Sequence, residues 1–282
     1  MPPASPPAAP ATATLGDAVR LLRGRRIAVL TGAGVSTDSG IPDYRSPRAR
    51  PRRAPMDHDT FVRDASARRR YWARSAAGWP RVDEARPNEA HHALARLEAA
   101  GVAVGVITQN VDGLHQAAGS RRVVELHGSL AWTRCLGCAT RTPRRWVQRE
   151  IGRRNPGHPL DARLAPDGDA ELPEGLVEGF SVPPCPACGG VLMPDVVFFG
   201  GTVPRETVEA AWALFDDADA LLVAGSSLAV YSGYRFVVRA EREARPTALL
   251  TRGPTRADGR VTLKVDAPLG TALPALAEAL LA

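Results

Sequence analysis

Three short apolar runs in this chain each end in polar residues whose types suit a ligand site. The first, Ile27–Leu30, breaks at once into Gly32-Ala33-Gly34, followed by Thr37 and by Asp43-Tyr44-Arg45 in the kinked stretch DSGIPDYR. A buried strand that gives way to small residues can bring backbone N–H groups against a pyrophosphate, and the glycines lack the Cβ atoms that would hold such a ligand away. The dinucleotide fingerprint is incomplete, because Thr37 stands where a third glycine belongs. No second strand ending in an acid follows at the usual ribose-binding distance either. The glycines favour a dinucleotide site over a tight strand-to-helix turn, and two charged residues in the adjoining loop strengthen that reading. The second run, Val102–Ile107, delivers Thr108, Gln109, Asn110, Val111 and Asp112; the third, Val123–Leu126, delivers His127. Each alone is an ordinary loop, but three strand ends together form a constellation, and in open α/β sheets ligands bind at that edge.

A second chemistry belongs to Cys135-x-x-Cys138 and Cys185-x-x-Cys188, the only cysteines, separated by roughly 46 residues. Two such pairs fit a closed tetrahedral site for one structural zinc. Disulfides are the alternative, disfavoured where no secretion signal is evident; a redox motif would need only one pair. Four thiolates leave no open position, so this zinc builds the fold and activates no water. The long separation implies a loop from Arg149 to Ser181 protruding between the knuckles.

The elements that must position these groups alternate. Helical spacing is expected over Leu15–Arg23, Phe61–Gly78, Ala90–Glu98 (capped by Asn88, ended by Gly101), Glu206–Phe215, Tyr234–Arg242 and Leu273–Leu281. Further strands are expected at Ala220–Ala224, leading into Gly225-Ser226-Ser227, and at Thr247–Leu250, leading into Thr251-Arg252-Gly253. Strand–helix alternation argues for an α/β fold, a Rossmann-like parallel sheet covered by helices, with a smaller inserted zinc-binding and helical module. His91 and His92 read as packing or surface residues. Residues 1–14, rich in Pro and Ala, read as a disordered tail and not a signal peptide. The Pro/Arg-rich stretch after Arg45 reads as a mobile loop. With 282 residues one large domain with an insertion is expected, no run approaches a membrane span, and a cytoplasmic protein is the simplest account. The 36 basic against 30 acidic residues give a moderately basic chain, yet Lys264 is the only lysine. Scattered arginines with few interleaved aromatics argue against sequence-specific nucleic-acid binding.

Taken together, GAGVSTDSGIPDYRS (Gly32–Ser46), TQNVDGLH (Thr108–His115), ELHG (Glu125–Gly128), the cysteine pairs, PDVVFFG (Pro194–Gly200) and GSSLAVYSG (Gly225–Gly233) resemble the sirtuins, the NAD-dependent protein-lysine deacylases. RYWAR, APDGD, YSGYRF and RGPTRAD are similar to the class II branch, which shares the long insertion. The resemblance implies a catalytic domain over 15–282. Its Rossmann-like parts would lie near 15–48, 82–128 and 196–282, and its small module near 49–81 and 129–195. It implies that Gly32, Ala33, Gly34 and Thr37 line the NAD pyrophosphate, with Asp43, Tyr44 and Arg45 in the loop that closes over it. Gln109, Asn110, Val111 and Asp112 would hold the nicotinamide and its ribose. Gly225, Ser226 and Ser227 would take the adenosine side, with Thr251, Arg252, Gly253 and Leu269 near the adenine. His127 would be the general base, with Asn110 and Asp112 as catalytic partners. The segment Val196, Val197, Phe198, Phe199, Gly200 would pair with an acylated substrate as an added strand. NAD would be consumed: nicotinamide leaves as the acyl oxygen attacks the ribose, and a hydroxyl activated by an imidazole of pKa near 7 completes the transfer to O-acyl-ADP-ribose.

Two departures stand out. Thr251 replaces the family's usual Asn, offering fewer hydrogen-bonding groups to the cofactor, and Gly201 replaces the acid that commonly follows FFG. Tyr71 and Arg74 share one helical face and are similar to the pair with which one sirtuin branch holds acidic acyl groups; the alternative is that Arg74 is a solvated helix residue. Two other functions stay open at this point: mono-ADP-ribosylation of protein by the same NAD cleavage, and NAD sensing by a zinc scaffold without turnover.

Overall fold

Strand β1 (Ile27–Thr31) exposes none of its residues, and its alternate side chains feed two separate cores. Ile27 and Val29 enter one, Ala28 and Leu30 the other, as the period of two in a strand requires. The computed structural model describes residues 13–43, 55–158, 172 and 177–282. Around β1 run β2 (Ala103–Thr108), β3 (Val123–Glu125), β7 (Ala220–Ala224), β8 (Thr247–Leu250) and β9 (Leu263–Val265), all parallel, in the order β3-β2-β1-β7-β8-β9. One face is covered by α1 (Leu15–Leu22), α4 (Glu89–Ala99) and α9 (Leu269–Leu281), the other by α7 (Arg205–Asp216) and α8 (Tyr231–Arg242). The strand order reverses between β1 and β7, and the crevice at that reversal is where such sheets bind ligands.

A second, antiparallel sheet has the order β5-β4-β6, built from β4 (Gly128–Cys135), β5 (Arg141–Pro143) and β6 (Leu192–Val196). It shares a core with α2 (His58–Arg63), α3 (Ala65–Glu84) and α6 (Arg144–Arg154), centred on Phe61, Trp72, Val147, Ile151 and Leu192. The guanidinium of buried Arg144 lies 5.2 Å from the ring centre of Trp72 and 4.9 Å from that of Trp79, clamping α6 to α3.

Four differences from the sequence reading have local causes. The helix expected over Phe61–Gly78 is two helices, because Asp64 leaves helical geometry and caps α3 through Ser66 and Ala67. Arg149–Arg154, expected in the protruding loop, belongs to α6, whose apolar spacing (Val147, Ile151) hides among arginines. Helix α9 begins at Leu269, four residues before the expected Leu273. Helix α8 begins at Tyr231, three residues before the expected Tyr234, so that Ser232 and Gly233 lie in its first turn.

Candidate functional site at the strand reversal

The loops leaving β1 and β7 cross in backbone contact. Gly32 donates to Ala224 O at 3.1 Å and Gly34 to Gly225 O at 2.9 Å. A Cβ on Gly32 would lie 2.8 Å from Ser226 Cβ, and one on Gly34 would lie 2.9 Å from Gly225 Cα. Gly225 has φ +64, and its own Cβ would meet Val35 N at 2.6 Å. The glycines are therefore required by the approach of one loop to the other, where the sequence reading favoured ligand clearance over a tight strand-to-helix turn. Ala33 stands between them in a short 3-10 turn, and Thr37 caps back on Gly34 O at 3.1 Å. Leu269 of α9 closes the crossing from outside, its Cδ1 within 2.8 Å of a Cβ built on Gly225.

Below this crossing lies a polar network that the sequence reading did not assemble. Asn110 Nδ2 donates to Ser36 Oγ at 3.1 Å and to Gly32 O at 3.2 Å, and Ser36 Oγ donates to Asp112 Oδ2 at 2.7 Å. Asp112 Oδ1 accepts from Leu114 N at 3.0 Å. Burial pushes the Asp112 carboxyl above the usual carboxylate range, partly opposed by these hydrogen bonds. Thr31 Oγ1 bonds Thr108 Oγ1 and His115 Nε2, each at 2.9 Å. His91 stacks edge-on against His115 with ring centres 4.9 Å apart. Burial holds the imidazoles of His91 and His115 down, to about 4 and about 3. His91 is thus a packed, neutral residue, as read from sequence. His115, Ser36, Thr31 and Thr108 went unrecognised as network members; strand-end hydroxyls flanking Asn110 were the available signal.

His127 sits where β3 passes into β4. Its Nδ1 lies 2.9 Å from Gln109 O, an atom that only accepts, so Nδ1 carries the proton and Nε2 the lone pair. Burial, with a contribution from the Arg235 guanidinium, holds this imidazole below its ordinary value, so it is neutral near pH 7. Nε2 lies 2.7 Å from Ser232 Oγ. Gln109 Nε2 in turn donates to Ser226 Oγ at 2.7 Å and to Thr31 O at 3.1 Å, tying the two halves of the sheet together. Val111 supplies its carbonyl to Leu130 N at 2.8 Å, anchoring the Asn110–Asp112 loop to β4.

The segment Val196–Gly200 starts beside His127, with Val197 N donating to His127 O at 2.8 Å. Strand β6 is an edge of its sheet, so one side of it can accept an added strand. Phe199 is 48% exposed, while its carbonyl accepts from His58 N at 2.9 Å and Gly200 turns at φ +75. Phe198 packs 5.1 Å from Tyr71 and 5.2 Å from Phe61, which places α3 directly behind this segment. Arg74, one turn further along α3, is half-buried. Val230 and Tyr231, 43% and 59% exposed, present apolar surface next in sequence to Ser232, the residue bonded to His127 Nε2, and the sequence reading missed them.

On the far half of the sheet, Ser226 is buried and its Oγ accepts from Leu228 N at 3.1 Å, while Ser227 O accepts from Arg256 N. Thr251 is buried at the end of β8, Arg252 is exposed, and Gly253 N donates to Asp266 Oδ2 at 3.1 Å. Lys264 fastens this loop by donating to Gly253 O at 2.7 Å and to both carboxylate oxygens of Asp258 at 2.9 Å. Asp43 is half-buried at the end of the first loop; Tyr44 and Arg45 lie outside the described residues.

The four cysteine sulfurs all lie within 4.8 Å of one another. Cys135 and Cys188 are 3.5 Å apart and Cys138 and Cys185 3.8 Å, far beyond a disulfide bond and close to the roughly 3.8 Å edge of a tetrahedron with Zn–S bonds of about 2.3 Å. Backbone N–H groups of Gly137 and Gly190 point at Cys135 and Cys188 sulfur, at 3.3 and 3.4 Å, as suits thiolates. The donor set fits one zinc ion with no vacant position. Among the described residues, no helix is long and apolar enough to cross a membrane.

Comparison with known proteins bears on all these features. The Sir2 family model matches residues 32–232. An "NAD-dependent protein deacetylase" of Xanthomonas campestris pv. campestris is 55% identical over 253 residues, covering 89% of this chain and 86% of the relative. An "NAD-dependent protein deacetylase 1" of Mycobacterium avium is 49% identical over 270 residues, covering 94% and 95%. A solved complex described as "Sir2-p53 peptide-NAD+" superposes with a TM-score of 0.76 at 30% identity, covering 94% of this chain and 98% of the other.

Proposed function

This chain belongs to the Sir2 family, and from that premise we propose that it is an NAD-dependent protein deacylase, converting NAD and an acyl-lysine into nicotinamide, O-acyl-ADP-ribose and the free lysine. The observation that carries the reading is His127. Its tautomer is fixed by a backbone carbonyl and it is kept neutral by burial. It is set between the Asn110–Asp112 loop and the open edge of β6.

When bound, NAD supplies an electrophilic ribose carbon and a nicotinamide leaving group. Gly32–Gly34 and Thr37 would face its pyrophosphate, with Asp43, Tyr44 and Arg45 over it. Gln109–Asp112 would hold the nicotinamide riboside, and Gly225–Ser227, Thr251–Gly253 and Leu269 the adenosine. Asn110, fixed through Ser36 and Gly32, presents an amide that need not reorganise during reaction. Asp112 adds a partly desolvated carboxyl beside it. His127 Nε2 would take the proton of the ribose hydroxyl that completes acyl transfer. Val196–Gly200 would receive the substrate backbone as an added strand. The parallel-sheet parts (about 15–48, 82–128 and 196–282) hold the cofactor in this reading. The module of about 49–81 and 129–195, with its single structural zinc, forms the substrate side. Reduced cysteines ready for zinc suit the cytoplasm. The proposed partners are acylated protein lysines, with neither membrane nor specific nucleic acid.

Acyl-lysine peptide with NAD carrying a labelled adenylate tests the reading. The expected result is nicotinamide release with label leaving as acyl-ADP-ribose, and a product rate lowered roughly 100-fold or more in His127→Ala. Label fixed on protein would make the chain an ADP-ribosyltransferase instead, and no release with any acyl group would end the enzyme reading. Tyr71 and Arg74 are proposed to favour negatively charged acyl groups, since Tyr71 packs on the substrate segment. An acetyl-to-glutaryl ratio unchanged in Arg74→Met would refute this.

A further inference from the structure

The lone pair of the base is not empty. Gln109 O receives the Nδ1 proton of His127, so Nε2 has nothing to donate, and the Ser232 hydroxyl 2.7 Å away must donate to it. Ser232 is buried in the first turn of α8. Its own carbonyl accepts from Arg235 Nε at 3.1 Å, and Arg235 is also the cation felt by His127. The next residue explains how the helix comes so near. A Cβ on Gly233 would fall 2.5 Å from Gln109 Oε1 and 2.6 Å from its Cδ, and that amide is held by Thr31 O and Ser226 Oγ. Only a residue without a side chain lets the start of α8 seat on Gln109, and that seating delivers the Ser232 hydroxyl to the imidazole. Gln109 therefore fixes both ends of the base, one through its carbonyl and the other through the surface on which Gly233 rests.

We propose that Ser232 is a positioning residue of the deacylation step: its hydroxyl, seated by Gly233 on Gln109, holds the His127 ring in the plane and tautomer from which Nε2 accepts the substrate proton. The inference rests on the deacylase reading with His127 as base. A ring bonded at Nδ1 alone can still swing about that bond; the second contact removes this freedom, and small errors in the aim of a base are costly. Ser232 exchanges its bond at Nε2 for the reacting hydroxyl during turnover, and no covalent bond to Ser232 forms or breaks. Its removal touches the step that uses the base and leaves the earlier departure of nicotinamide alone.

The test measures two rates on the zinc-loaded full chain with acyl-lysine peptide: exchange of labelled nicotinamide into NAD, which reports the first step, and formation of deacylated peptide. In Ser232→Ala, product formation is expected to fall about tenfold in kcat with KM for NAD unchanged, while exchange stays within about twofold of wild type. Ser232→Thr, which keeps the hydroxyl, is expected to recover most of the product rate. Equal loss of both rates, no loss of either, or failure of Thr to exceed Ala when both variants melt like wild type would overturn the proposal. Absence of exchange and product in the wild type would instead overturn the deacylase reading on which it rests.

Discussion

The two halves of the parallel sheet end at the same edge but carry their polar groups differently. Behind β1, β2 and β3, Thr31, Ser36, His91, Thr108, Asn110 and His115 are buried and bonded to one another. Beyond β7, β8 and β9 the loops offer short hydroxyls and backbone, and the charges stay at the rim, as in the pair Lys264–Asp258. A fixed, water-poor set of dipoles suits bond breaking, because it need not reorganise as charge develops. A rim of backbone and small side chains suits holding a flat ligand in place. On the proposed deacylase reading, one fold would divide chemistry from recognition across the line where its strand order reverses.

Acid should expose this asymmetry most strongly. His91 and His115 protonate near 6.5 when unfolded but only near 4 and 3 in the folded chain. Their stabilisation is complete above pH 6.5 and is lost as the pH falls toward those lower values, because the unfolded chain then binds more protons. Each contributes about 1.4 kcal/mol per pH unit in that window, on the order of 5 kcal/mol for the pair by pH 4. Urea unfolding between pH 7 and 4.5 should show this slope, and His115→Gln should flatten it by about half. A slope unchanged in the variant would remove His115 from the acid-sensitive set.

The crossing between the halves is the next place to probe. Gly225→Ala forces a side chain onto φ +64 and against Val35 N. It should cost roughly 2–4 kcal/mol, seen as a lower urea midpoint at unchanged slope. An unchanged midpoint would mean the loops separate freely and the halves are not locked. The smallest effect belongs to the recognition half. Thr251→Asn restores a donor and an acceptor at the end of β8, worth about 1 kcal/mol, or about fivefold tighter NAD binding by calorimetry. Weaker or unchanged binding would show that this half recognises the adenosine through backbone alone.

These contrasts also explain which parts were readable from sequence. Strands β7 and β8 announce themselves as apolar runs cut off by Gly-Ser-Ser and Thr-Arg-Gly, and Ala220–Ala224 and Thr247–Leu250 stand at the expected bounds. Asn110, Asp112 and His127 were visible because each follows such a run directly. Strand β9 escaped notice because three residues, Leu263–Val265, carry too little pattern. Ser36, His91 and His115 escaped as a group because their partnership exists only once β1, α4 and the loop after β2 are packed. The glycines of the first loop were found for a reason that is only part of the truth, since their neighbours are Gly225 and Ser226. Ser232 was hidden because the helix was expected only from Tyr234, three residues after α8 begins.

Lys264 has a practical consequence. It is the only lysine in the chain, its side chain is 13% exposed, and its ammonium is spent on Gly253 and Asp258. Reagents that seek lysine side chains therefore find one in this sequence, and its ammonium is already engaged. In an anti-acyl-lysine blot of a reaction mixture, Lys264 is the one residue of this sequence that could add a band beside those of the substrate.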